Sequence, residues 1–193
     1  MFGDKFYKRL NELQPWQQTV FALALAERMY PNYALFSQTS GFGSAQAFRQ
    51  TLDHMWEYLT VKGSRVNLSS ILEAFEDEIP DPTKFESYGA YPALDACVAL
   101  GCAYNSVVCR VGEEAEESSY ASVGCVAGFV EMLEDREMDD EELYEHELFE
   151  GELEFQVELL KKVAFERDSD RILAIKQFAA QGGISNIGIS LED

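Results

Sequence analysis

The chain has 193 residues, 47% of them hydrophobic, enough to bury a core within the usual size of one domain, and its 35 acidic against 15 basic side chains give a formal charge of −20. Such a surface repels phosphate backbones and anionic membranes, so neither direct nucleic-acid binding nor membrane attachment is expected. The start, MFGDKFYKRLNELQPW, has no apolar stretch of the secretory kind, the longest apolar runs are too short to span a bilayer, and a cytoplasmic protein is expected.

Helical spacing recurs from end to end and alternating strand patterns are almost absent, which predicts an all-α, single-domain multi-helix bundle over residues 1–193. Asp4 is placed to cap a first short helix holding Phe6, Leu10 and Leu13. Pro15 opens a second, through Trp16, Val20 and Leu23 to about Met29. Pro31 is expected to interrupt the chain before a third short helix, with Tyr33, Leu35 and Phe36, that stops at Gly41. Ser44 is a good N-cap for the next, in which Phe48, Leu52, Met55, Trp56 and Leu59 form one core stripe before Gly63. Asn67 caps another, which Pro80-Asp81-Pro82 breaks. Tyr91-Pro92 then opens the most apolar helix, running to about Val108 and suited to the centre of the bundle.

Two longer helical stretches follow, Glu113 to Leu133 and Asp140 to Ala180, the second with an expected break near Gly151. Between Glu113 and Glu158 eighteen carboxylates face one cation, Arg136. Helix starts account for about half of them: Asp139 and Glu142 form a capping box with Met138 and Leu143 at staple positions, and Glu113, Glu114, Glu116 and Glu117 meet the positive end of a helix dipole. Glu145, Glu147, Glu150, Glu152, Glu154 and Glu158 call instead for solvent, a cation or a partner. Past Gln181-Gly182-Gly183 the tail over 184–193 alternates apolar with small or polar residues. It is expected to be extended and to dock through its isoleucines on its own bundle or on a neighbouring subunit of a homo-oligomer.

Motifs for chemistry are scarce. His146 to Glu150 resembles a zincin helix without its second histidine, no EF-hand spacing, phosphate loop or nucleophile elbow occurs, and His54 reads as a surface residue. Cys97, Cys102, Cys109 and Cys125 have no C-x-x-C spacing and read as core thiols, Cys102 and Cys109 sharing a helix face. No catalytic residue, metal or cofactor is therefore expected. Two stretches, Glu27 to Tyr33 and Tyr88 to Asp95, hold more polar and aromatic groups than a bundle core requires, and in each a tyrosine precedes a proline at a predicted helix junction. They read either as a buried network, with Arg28 paired to Asp95 or Glu27, or as a small-ligand pocket built from Arg28, Tyr30, Tyr33, Tyr91 and Asp95.

Those stretches, with Trp16-Gln17, Gly41-Phe42-Gly43, Trp56 to Lys62, Met138 to Leu143 and Ser185 to Ile189, resemble the YjaG-like bacterial family of unknown function over nearly the whole chain. The resemblance implies a compact, cytoplasmic, all-helical bacterial protein and supplies no activity or functional residues. The functional reading is a non-enzymatic binding or interaction protein whose acidic helices face a basic protein partner. The alternative is a small-molecule-binding protein or enzyme using Arg28, Tyr30, Tyr91 and Asp95, and a third reading gives the acidity a role in solubility alone.

Overall fold

The computed structural model describes residues 2–191, and among them nine α-helices follow in chain order: α1 (Asp4–Asn11), α2 (Pro15–Ser40), α3 (Ala45–Thr60), α4 (Leu68–Glu76), α5 (Ala90–Val108), α6 (Glu114–Glu134), α7 (Asp140–Tyr144), α8 (Glu147–Val163) and α9 (Ser169–Ala180). Short 3₁₀ turns lie at Pro82–Lys84 and Gln181–Gly183, and the one β-type pairing among the described residues is a bridge between Ile184 and Ser190. The expected all-α bundle forms around a single continuous core.

α2 is its axis. Every residue from Thr19 to Met29 is buried, and a helix hidden on all sides needs neighbours on all sides. α3, α5, α6, α8 and α9 supply them. The broadest contact is with α5, whose buried positions include Ala90, Ala93, Ala96, Ala99 and Ala103. Side chains this small let the two backbones come close, which the bulkier stripe of α3 does not allow.

Pro31 does not interrupt the chain, contrary to the sequence expectation: it lies inside α2, which runs on to Gly41 and ends there at a φ of +71°. A proline at this position denies the Glu27 carbonyl its helical donor, a defect worth about 3 kcal/mol in an exposed helix. Here Met29, Asn32, Tyr33 and Ala34 are buried around it, and tertiary packing overrides the local preference. Gly151 likewise lies inside α8 rather than at a break. The chain instead divides where side chains cap. The His146 ring accepts the Leu148 N–H at 3.2 Å to open α8, and Asp168 accepts the Arg171 N–H at 2.9 Å to open α9. Asp4 stands in the first turn of α1, behind a Gly3 cap.

The other caps agree with expectation. Ser44 accepts from the Ala47 N–H at 3.1 Å, Asn67 from Ser70 at 3.4 Å, and the Asp139/Glu142 box is closed in both directions at 3.0 and 3.2 Å. Cys97, Cys102 and Cys125 are buried free thiols, but Cys109 caps the exposed end of α5 and shares no environment with Cys102. His54 is exposed.

The tail turns back on itself, the Ser185 N–H donating to the Ile189 carbonyl at 2.9 Å, and seats on its own bundle. Ile187 is buried and Ile189 partly so, whereas Ile184 stays 47% exposed, so two of the three isoleucines dock. The last two residues of the 184–193 tail lie outside the described residues. Truncation after Gln181 removes the Ile187 contact and the buried Asn186, and the expected loss is about 2–4 kcal/mol in a denaturant titration. An unchanged midpoint would contradict this seating.

Candidate functional site

On α8, Phe149, Glu152, Gln156, Leu159 and Val163 recur at intervals of three and four, so the glutamate and glutamine fall on the apolar stripe. Both have zero exposure. Buried there, Glu152 cannot remain a bare charge, and it is surrounded by donors. Arg28 Nε reaches one oxygen at 3.1 Å, while Ser122 Oγ at 2.6 Å and Gln156 Nε2 at 2.8 Å reach the other. The Arg28 guanidinium lies 4.0 Å over the Phe155 ring and also donates to the Gln181 side chain. The ion pair of Arg28 is thus with Glu152, not with Asp95 or Glu27. Glu152 is moreover not among the carboxylates that solvent or a partner must satisfy. No spacing rule joins two positions 124 residues apart, which is why the pairing is absent from the linear pattern.

Glu27, next along α2, takes a different arginine. Both of its oxygens meet Arg49 of α3, at 2.5 and 2.7 Å, and the Trp56 indole N–H donates at 2.8 Å. Tyr30 lies half-buried beside this group, its ring 5.2 Å from the Arg49 guanidinium. Tyr33 donates to the Glu78 carboxylate at 2.8 Å and to its carbonyl at 2.9 Å. A side chain at Gly43, where φ is +62°, would overlap that hydroxyl, so a glycine is needed at this turn. Tyr91 is 53% exposed. Arg28, Tyr30, Tyr33, Tyr91 and Asp95 therefore have separate partners and do not converge on one centre.

The two polar stretches nevertheless meet, through Asn32. Its Nδ2 donates to Asn186 Oδ1 at 2.9 Å, and Asn186 Nδ2 donates in turn to Ser122 Oγ at 3.3 Å, which closes a chain back to Glu152 and Arg28. Asn32 Oδ1 is buried and has no hydrogen-bond partner among the described residues. The same residue lines a cleft of about 380 Å³ walled by Phe36, Tyr88, Pro92 and Phe129, with Ile187 and Ile189 of the tail along one side. Neither Asn32 nor Asn186 stands out by residue type. Asn186 was visible only within the Ser185 to Ile189 stretch, and Asn32 only as a polar position beside a proline.

Residues 5–190 match the family described as "Protein of unknown function (DUF416)". The chain belongs to the DUF416 family. It is 43% identical over 192 residues to the Escherichia coli protein named "Uncharacterized protein YjaG", with 98% of each chain covered. The Salmonella typhimurium protein of the same name is 40% identical over 195 residues, with both chains fully covered. The crystal structure of a DUF416 family protein from Shewanella baltica superposes with a TM-score of 0.89 at 33% identity, covering 99% of this chain and all of that one. No helix among the described residues is long and apolar enough to cross a membrane, and no three of their His, Cys, Asp or Glu side chains are grouped to hold a metal ion.

In this DUF416 chain Asp95 of α5 is partly buried and has no ion-pair partner among the described residues. Burial pushes its carboxyl up to about 6, with a hydrogen bond from the Cys125 thiol of α6 opposing, while Cys97 and Tyr88 face it as further acidic groups. Burial raises the Cys125 thiol well above its ordinary range, so it is no activated nucleophile.

Two measurements follow. Arg28→Ala leaves Glu152 buried without its cation, with an expected cost of about 3–5 kcal/mol. The double variant with Glu152→Ala should fall short of the summed losses by about 1–3 kcal/mol, whereas Arg28→Ala with Asp95→Ala should be additive to within about 0.5 kcal/mol. A denaturant double-mutant cycle distinguishes these, and additivity of the first pair would refute the pairing. For Asp95 the folded value lies above the unfolded one, so the native state holds the proton more tightly. Its contribution is full below about pH 4 and is lost as pH rises through about 6. Relative to Asp95→Asn, the wild type should lose about 1–1.5 kcal/mol between about pH 5 and pH 7.5. Parallel stability curves for the two proteins would exclude the shift.

Proposed function

We propose that the protein is a non-catalytic binding protein that takes a small, uncharged, mainly apolar molecule bearing one hydrogen-bond donor into the cleft beside Asn32. The Asn32 Oδ1, without a donor among the described residues, carries this reading: a buried amide oxygen left unpaired costs about 1–3 kcal/mol, and a ligand N–H or O–H that reaches it through the cleft Asn32 lines would relieve it. The remaining lining is aromatic and aliphatic, apart from Thr39, Ser87 and Tyr88, and among the described residues includes no His, Cys, Asp, Glu, Lys or Arg. Such a lining favours binding over acid–base or nucleophilic chemistry. Asn32 is held in place from behind by Asn186, so the acceptor is oriented before a ligand arrives. In this reading the exposed carboxylates from Glu134 to Glu150 are a solvated face.

N-phenyl-1-naphthylamine has the required shape and a single N–H. Its fluorescence is expected to rise saturably at one site per chain, and Thr39→Trp, at an exposed position lining the cleft, should weaken binding by about tenfold or more. The isosteric ether 1-phenoxynaphthalene, which lacks the donor, should compete about tenfold less well. Absence of saturation, or equal competition by the ether, would overturn the assignment.

A further inference from the structure

We propose that a second, basic cleft, at the end of the bundle where α2 and α9 begin and α3 and α5 finish, binds a planar aromatic phosphate of nucleoside monophosphate size. Two adjoining hollows, of about 250 and about 430 Å³, share Tyr58, Leu59 and Arg167. Lys62, Arg110 and Arg167 line them, and among the described residues no carboxylate does. In a chain with 35 acids against 15 bases, a lining of this sign is the reverse of what the composition would place there by default.

The three cations are also unspent. Among the described residues none of them is ion-paired. Arg110 uses only Nε, donating to the Val107 carbonyl at 3.0 Å, and Arg167 only one terminal nitrogen, donating to the Leu59 carbonyl at 3.2 Å. A guanidinium has five N–H donors, so most of each remains for a ligand. Glu57 accepts the Ser64 hydroxyl at 3.0 Å and Asp168 caps α9, and neither forms an ion pair with these cations among the described residues. A carboxylate is satisfied by one bidentate arginine, whereas a phosphate, with more oxygens and more charge, can use cations arriving from three separate chain segments, after α3, after α5 and before α9. The protein's overall charge opposes an anion at long range, but over a screening length of about 8 Å at physiological salt the local cations dominate.

Rings complete the site. Trp16 and Tyr58 are partly exposed along the cleft, the Arg167 guanidinium rides 5.8 Å over the Trp16 ring, and Tyr58 stacks on no other ring among the described residues. The paired hydroxyls of Thr19 and Ser106, 2.7 Å apart, add buried polar groups to the lining. Arg110 itself has a φ of +53°, at a helix end where its N–H returns to the Asn105 carbonyl at 3.0 Å. That position favours glycine, so an arginine there keeps its side chain at a backbone cost.

Calorimetric titration of the full chain with adenosine monophosphate is expected to saturate at one site, with adenosine and inorganic phosphate each binding at least about tenfold more weakly. Arg167→Ala and Arg110→Gly should each weaken the nucleotide by about five- to tenfold, because each removes a charge-assisted contact. Arg110→Gly should melt at the wild-type temperature or above it, since glycine suits the left-handed backbone, so its loss of binding would not reflect unfolding. Thr39→Trp, in the other cleft, should leave nucleotide binding unchanged. No saturable binding, equal affinity for phosphate or adenosine alone, or full affinity in both arginine variants would overturn the proposal.

Discussion

Glu152 has no exposed surface, and a carboxylate in that position would be prohibitively costly without a cation and a full set of donors. Arg28, Ser122 and Gln156 meet that requirement from α2, α6 and α8, and Gln181 extends it to the end of α9. Replacing such a pair by apolar residues often stabilises a protein, so its consequence here is registry rather than net stability. A slip of α8 by one turn would strand the charge among Phe149, Phe155 and Leu159. The remaining packing of α8 against α2 and α6 is constrained by that condition.

Consecutive residues on a helix point about 100° apart, so Glu27 and Arg28 face different neighbours. Glu27 is held by Arg49 and Trp56 of α3, and Arg28 by Glu152 of α8. α2 is thereby clamped on two sides by ion pairs of opposite polarity, one presenting the acid and the other the base. These polar clamps lie within the most deeply buried helix of the chain, where apolar packing alone would leave rotation about the axis poorly specified, since the helix is buried all round.

Asn32 is one turn beyond Arg28 and shares its face. The loop of bonds from Arg28 through Glu152, Ser122 and Asn186 to Asn32 makes the cleft wall and the buried ion pair parts of one network. The same network ties the tail to the bundle: Asn186 bridges Asn32 of α2 and Ser122 of α6, and Ile187 beside it in the chain is buried in the core. A ligand bound at Asn32 would stabilise the tail and the core together, because it binds only where that network is formed. The acidic stretch divides along the same lines. Glu114 and Glu152 are interior residues with donors of their own, whereas most of the others remain exposed.

Helix content, most helix ends and the core stripes were legible in the linear sequence because they rest on local physics: the 3.6-residue period, the capping preference of Ser44, Asn67 and Asp139, and the Pro80-Asp81-Pro82 break. The burial of Glu152 was not read from the sequence, which grouped it with the solvent-facing acids, although its place on the stripe with Phe149 and Leu159 carried the signal. Its partner was not legible, nor was the continuity of α2 through Pro31, nor the passage of α8 through Gly151. In each of these, local propensity is worth about 1–3 kcal/mol and is outweighed by contacts with residues far away in the chain, which no short-range pattern encodes. The candidate site divides in the same way. Its polar and aromatic residues were recognisable as an excess at two junctions. Only the tertiary structure decided that Asn32 rather than Arg28 faces the cleft, because only there does α8 bring Glu152 to the arginine and the tail bring Asn186 to the asparagine.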